Sequence, residues 1–209
     1  MESLFNNLIG GVLWEALLVS FGTIFLLATL VMAYVLLRQR EQRAKLVDPQ
    51  LGFKVVLQFF FSVSMLLALT GAAMLVGDLL QPEMEPWSNP QRAGIALLIV
   101  GGIFTAVHAA MLRRVTNNSD LPSAARFFTG WRFAVHGLVV IGAAAWLALL
   151  LLQTDPKTFA QRAVISLREH YLYGTLLVWG PSWLVHLAWL WWLTTRPALA
   201  SDATWESKD

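Results

Sequence analysis

Apolar residues gather into five long runs along the chain, at about 11–37, 55–80, 93–112, 127–152 and 171–195, with all but a few of the charged residues in the stretches between them. Runs of this length fit neither the alternation of a half-buried strand nor the single apolar stripe of a soluble helix. About 20 consecutive apolar residues cross the hydrocarbon of a bilayer as a helix. The pattern therefore predicts an all-α integral membrane protein, a single domain over 1–209 built as a bundle of five transmembrane helices. The connections "RQREQRAKLVDPQ", "QPEMEPWSNPQR", "RRVTNNSDLPSAAR" and "QTDPKTFAQRAVISLREH" are turn-rich and too short for a soluble domain. Within the last, residues 157–169 are expected to form a short interfacial helix with Phe159, Ile165 and Leu167 on its apolar side. No internal repeat appears, which argues against an inverted-repeat transporter.

Charge assigns the two faces. Eleven of the 15 basic residues lie in alternate loops or their flanks: Arg38, Arg40, Arg43, Lys45 and Lys54; Arg113, Arg114, Arg126 and Arg132; Arg196 and Lys208. The opposite side holds Arg92, Lys157, Arg162 and Arg168, offset by Glu2, Asp78, Glu83, Glu85, Asp155 and Glu169. Basic residues are retained on the cytoplasmic side. The N-terminus is expected outside and the C-terminus in the cytoplasm, in a multi-pass protein of a bacterial-type inner (cytoplasmic) membrane. Trp14 and Trp87 near the outer boundary, and Trp131, Trp191 and Trp192 near the inner one, fit interfacial belts. The first run lacks the basic flank of a secretory signal and is too long for one, so it is expected to remain a span.

Composition narrows the chemistry. The chain is 57% apolar and 13% charged, about half the charged fraction of a soluble domain. The basic residues form no patch suited to nucleic acid. Cysteine is absent, which excludes disulfides, cysteine-ligated iron–sulfur clusters and covalent c-type haem attachment. No nucleophile motif, i, i+4 metal pair or phosphate loop appears, so at most a non-catalytic subunit of an oxidoreductase complex is expected. "NNS" at 117–119 matches a glycosylation acceptor on the predicted cytoplasmic side, and "ASDATWESKD" is a polar tail.

The histidines remain. At about 1.5 Å per residue, His108 lies about 8 Å inside the cytoplasmic boundary; His136 lies about 15 Å in counted from Arg126, or about 6 Å from Arg132; and His186 lies about 15 Å in. Ionisable side chains in spans are costly, usually face the bundle interior and are candidates for function. On the third span Gly94, Gly101 and His108 recur every seven residues beside Thr105. On the fourth, His136 shares a stripe with Arg132, Val139, Val140, Ala143 and Ala144. On the fifth, His186 aligns with Trp179, Ser182, Trp183 and Trp189, one turn beyond Gly180-Pro181, where a kink is expected. Small residues beside a histidine leave room for a flat macrocycle and equally for close helix packing.

The expected cofactor is haem b, with His136 and His186 as axial iron ligands, His108 as substitute ligand or propionate neighbour, and Arg132 with Arg113 or Arg114 on the propionates. At the outer boundary Glu15, Asp78, Glu169 and His170 are expected to serve proton transfer from a quinone-type substrate. Five spans with an outside N-terminus resemble the small cytochrome b anchor subunits of respiratory dehydrogenases and reductases. The resemblance is one of helix count and orientation: those families place haem ligands on early helices, and the first two spans here contain no histidine. It implies an electron-transfer subunit, quinone-linked and bound to other subunits in the bilayer. The alternatives are a non-redox accessory subunit, a pore or transport component with Gln58, Ser62 and Thr70 on a shared axis, and a (bacterio)chlorophyll-binding subunit.

Overall fold

The computed structural model describes residues 2–43, 48–81, 89–115, 123–152 and 159–195; the side chains of 2–19, 21, 89, 123, 159–168, 193 and 194 fall outside the description. The described residues form five helices and no strand: α1 (Glu2–Arg43), α2 (Leu51–Leu79), α3 (Asn89–Val115), α4 (Ser123–Leu152) and α5 (Phe159–Thr195). Four carry stretches long and apolar enough to cross a membrane, Gly22–Arg43, Leu51–Leu79, Pro90–Val115 and Ala124–Leu152. The protein is thus helical and suited to multi-pass insertion. α5 is long enough, but Tyr, Trp, His, Gly and Pro fill much of its apolar half, and these score weakly as hydrocarbon-like residues. Residues 159–169 are no separate interfacial helix. They continue into the rest of α5, since nothing between Phe159 and Gly180 breaks helical hydrogen bonding.

The polarity is that of a lipid-immersed bundle. Gln58, Ser62, Arg132 and His136 are buried, whereas Leu138, Ile141, Leu149 and Trp191 are exposed. Such a surface suits lipid, where a helix satisfies its interior backbone groups along its own length.

α2 is the central helix, packing extensively against α3 and α5 and also touching α1 and α4, while α4 packs along α5. Glycines set the close approach of α3 to α2. A Cβ on Gly101 would stand 2.4 Å from the Ala68 nitrogen, and one on Gly71 would stand 2.6 Å from the Gly94 oxygen, so α3 presses its backbone on α2. The small residues of the third span serve helix packing, as is usual in membranes. Thr105 joins the same seam, donating to Ser64 Oγ at 3.2 Å. Where α1, α2 and α4 meet, Ala33, Leu37, Leu51, Val55, Phe59, Ala124 and Phe128 form an apolar cluster.

The α1–α2 connection is pinned at its far end. Lys54 Nζ donates to Asp48 Oδ2 at 2.6 Å, and the Gln50 N–H donates to Asp48 Oδ1 at 2.9 Å. Lys54, one of the basic residues flanking this connection, is buried and neutralised by the pair.

Candidate functional site

The buried face of α4 runs through Ala124, Phe128, Thr129, Arg132, His136, Ala143, Leu147 and Leu150, the three-to-four spacing of one helical face. Two of these residues are a cation and an imidazole, one turn apart. Each is held by a different neighbouring helix.

Arg132 faces α2. Its Nη1 donates to Gln58 Oε1 at 3.3 Å and to Ser62 Oγ at 3.0 Å, and its Nη2 donates to Thr129 Oγ1 at 3.2 Å. The guanidinium carbon lies 5.0 Å from the centre of the Phe61 ring, within cation–π range. Neutral acceptors and a ring face thus solvate a buried charge, and Nε remains without a hydrogen-bond partner. Gln58 and Ser62 are the acceptors of this arginine.

His136 faces α5 and is fully buried. Its Nδ1 lies 3.2 Å from Ser182 Oγ, while His186 Nδ1 lies 2.7 Å from the Ser182 carbonyl oxygen. The latter contact requires His186 to donate, leaving its Nε2 as the basic nitrogen. Trp179 closes the site with its ring 5.1 Å from His136, edge to face, and Trp183 stacks on Phe133 at 5.7 Å. Gly137 makes room for Trp183, whose Nε1 lies 3.0 Å from where a Cβ would stand. α5 runs unbroken through Pro181. Its stripe of Trp179, Ser182, Trp183 and His186 meets α4 as the sequence pattern expects, while Trp189 is exposed. The bridging role of Ser182 was the missing piece: helical spacing put it beside His186, but only the packing of α5 on α4 put it against His136.

The two expected haem ligands are therefore together, in direct contact. Their ring centroids are 4.6 Å apart with planes at 76°. An imidazole nitrogen keeps about 2 Å from a metal it ligates. Two such rings across one iron would hold their nitrogens about 4 Å apart and their centroids farther, with a macrocycle between them. The edge-to-face contact leaves no space for one. Among the described residues no group of three or more His, Asp or Glu side chains is placed to hold a metal ion.

His108 does not join the pair. It lies on α3, whose extensive packing is with α2; its Nδ1 bonds the Phe104 carbonyl oxygen at 2.6 Å and its ring stacks on Phe60 at 5.9 Å. Arg113 and Arg114 are exposed on the last turn of α3 and take no part in the hydrogen bonds around Arg132.

At the opposite end of α2 the expected outer group assembles in part. α2 and α5 cross closely here: a Cβ on Gly77 would stand 2.6 Å from Tyr171 Cδ1 and 3.2 Å from the His170 carbonyl oxygen. Asp78 is buried near Tyr171, and Gln81 also lies beside the tyrosine. Glu169 and His170 precede Tyr171 on α5 and are half-buried, and His170 Nδ1 has no hydrogen-bond partner. Tyr171 was not singled out from sequence, because a tyrosine at a span end reads as an ordinary interfacial anchor. The Glu15 side chain, Trp14 and Trp87 with their belt, residues 117–119 and the tail lie outside the described residues.

Comparison of the chain with protein-family models, with characterised proteins and with solved structures finds no match.

Proposed function

We propose that the chain is a small subunit of a bacterial-type inner-membrane complex. It has five spans, an outside N-terminus and a cytoplasmic C-terminus, and its working centre is a proton-relaying pair formed by His136 and His186. One observation carries this reading: a fully buried imidazole touches the ring of a half-buried one, and Ser182 holds both, His136 through its hydroxyl and His186 through its backbone carbonyl oxygen. Imidazole takes a proton on one nitrogen and releases one from the other, so the transfer runs directly between the touching rings, while the Ser182 hydroxyl exchanges a proton with His136 alone and the Ser182 carbonyl oxygen only holds His186. Histidine chains inside membranes are used as such relays. Nitrogen-15 NMR of histidine-labelled protein tests this. A relay predicts that both rings exchange between their two neutral tautomers throughout about pH 5 to 8, and that Ser182→Ala changes the exchange at His136. Two rings with one tautomer throughout that range overturn it.

Haem b is the second reading, and a specific observation favours it. Both rings engage Nδ1, and His136 Nε2 has no hydrogen-bond partner, the pattern in which an outer hydrogen bond orients a metal-ligating histidine. This reading requires α4 and α5 to part at the pair. A reduced-minus-oxidised visible spectrum without the α-band of b-type haem, from haem-replete cells, removes it. With a flat spectrum and fixed tautomers, the array reduces to hydrogen bonds between helices, and the chain to a non-redox accessory subunit.

A further inference from the structure

A cleft of about 490 Å³ opens beside the histidine pair, lined by Ala73 and Met74 of α2, Val139 of α4, and Tyr171, Thr175 and Trp179 of α5, with Thr70 and Pro90 completing the wall. Its volume falls within the range of about 300–1,000 Å³ typical of small-molecule sites. Trp179 is shared: one side of the indole bounds the cleft while its ring meets His136.

We infer that this cleft binds a neutral isoprenoid quinol from the bilayer. Three features select that class. The lining carries no charged side chain, so a phospholipid headgroup placed there would leave its phosphate uncompensated, which is costly away from water. Tyr171, Thr175 and Trp179 recur every four residues on one face of α5 and set two aromatic rings along the wall, suited to a flat ring. The Thr70 and Thr175 hydroxyls donate to the Leu66 and Tyr171 carbonyl oxygens, both at 2.8 Å. Their remaining capacity is as acceptors, which suits the two hydroxyl hydrogens of a quinol better than the two carbonyl oxygens of a quinone. The apolar remainder of the wall suits the start of an isoprenoid tail. The site stands whether or not the histidine pair relays protons.

Photolabelling of the full chain in phosphatidylglycerol nanodiscs tests this, using a decyl-chain ubiquinol with a photoreactive tail. The expected result is labelling of Met74, Val139 and Thr175, displaced by unlabelled quinol at several-fold lower concentration than by the oxidised quinone. Thr175→Val should weaken displacement about tenfold, the loss of one good hydrogen bond, with an unchanged melting temperature. Val139→Trp, which fills the cleft from α4, should abolish labelling. Label falling elsewhere, equal competition by quinol and quinone, or equal competition by added phosphatidylglycerol overturns the assignment. Because the first readout uses the unaltered chain, it stands even if a variant fails to fold.

Discussion

Gly174 of α5 meets Gly77 of α2 so closely that a Cβ on Gly174 would stand 2.5 Å from the Gly77 nitrogen and 2.5 Å from the Ala73 carbonyl oxygen. This crossing brings Tyr171 over Gly77 and sets the depth of the cleft between α2, α4 and α5. The atoms in the way are backbone and cannot rotate aside.

Gly174→Ala is therefore expected to destabilise the bundle by about 1–3 kcal/mol, the usual cost of overpacking. Gly102→Ala, where the new Cβ meets nothing within 4 Å, is expected to be neutral or stabilising by up to about 1 kcal/mol from helix propensity. Unfolding of both variants in mild detergent makes the comparison.

Gln58 and Arg132 should be coupled. Gln58→Leu leaves a buried guanidinium short of an acceptor and is expected to cost about 1–3 kcal/mol. Arg132→Met removes the charge and its desolvation cost together, so it should be milder. The double variant is expected to lose well less than the sum of the two single losses, with an interaction energy of about 0.5–3 kcal/mol. Additive losses would mean that the 3.3 Å contact contributes nothing.

The Asp48–Lys54 pair predicts an acid limb in stability. Burial pushes the Asp48 carboxyl up, but the hydrogen bonds from Lys54 and the Gln50 N–H, with the Lys54 charge, hold it below its ordinary value. The folded state then binds that proton more weakly than the unfolded one. The stabilisation is complete above the ordinary carboxylate pKa of about 4 and is lost as pH falls through the lower folded value. The melting temperature should be flat above about pH 5 on this account and fall below about pH 4. Asp48→Asn should flatten the limb and cost about 3 kcal/mol at neutral pH, because it strands a buried ammonium.

The proposed orientation is open to a direct check because the chain lacks cysteine. Leu80→Cys, at the exposed C-terminal end of α2, should react with an impermeant maleimide in intact cells. Arg114→Cys, exposed at the end of α3, should react only after lysis. The reverse pattern inverts the topology.

Much of this protein was legible in one dimension. The apolar runs announced the helices, because a backbone in hydrocarbon has no other way to satisfy its polar groups. Helical spacing placed Arg132 on the His136 stripe, and Trp179, Ser182 and Trp183 on the His186 stripe. It also showed that Gly94 and Gly101 lie on one face, though not which use that face has. The backbone-to-backbone contact of Gly101 with Ala68 decides for packing.

Depth along a helix is counted from sequence, but the distance between two helices is not. The rise per residue put His108, His136 and His186 at similar heights, and tertiary packing separated them: α3 lies on α2, so His108 stacks on Phe60, while α5 lies on α4 and presses His186 against His136. The same step made Gln58 and Ser62 the acceptors of Arg132 and put Ser182 between two imidazoles. Composition and periodicity determine which residues share a face and whether it tolerates lipid. Which faces meet, and how closely, depends on side chains from segments far apart in the chain. Here that was settled by glycines at Gly77, Gly101 and Gly174, where the absence of a Cβ lets one backbone rest on another.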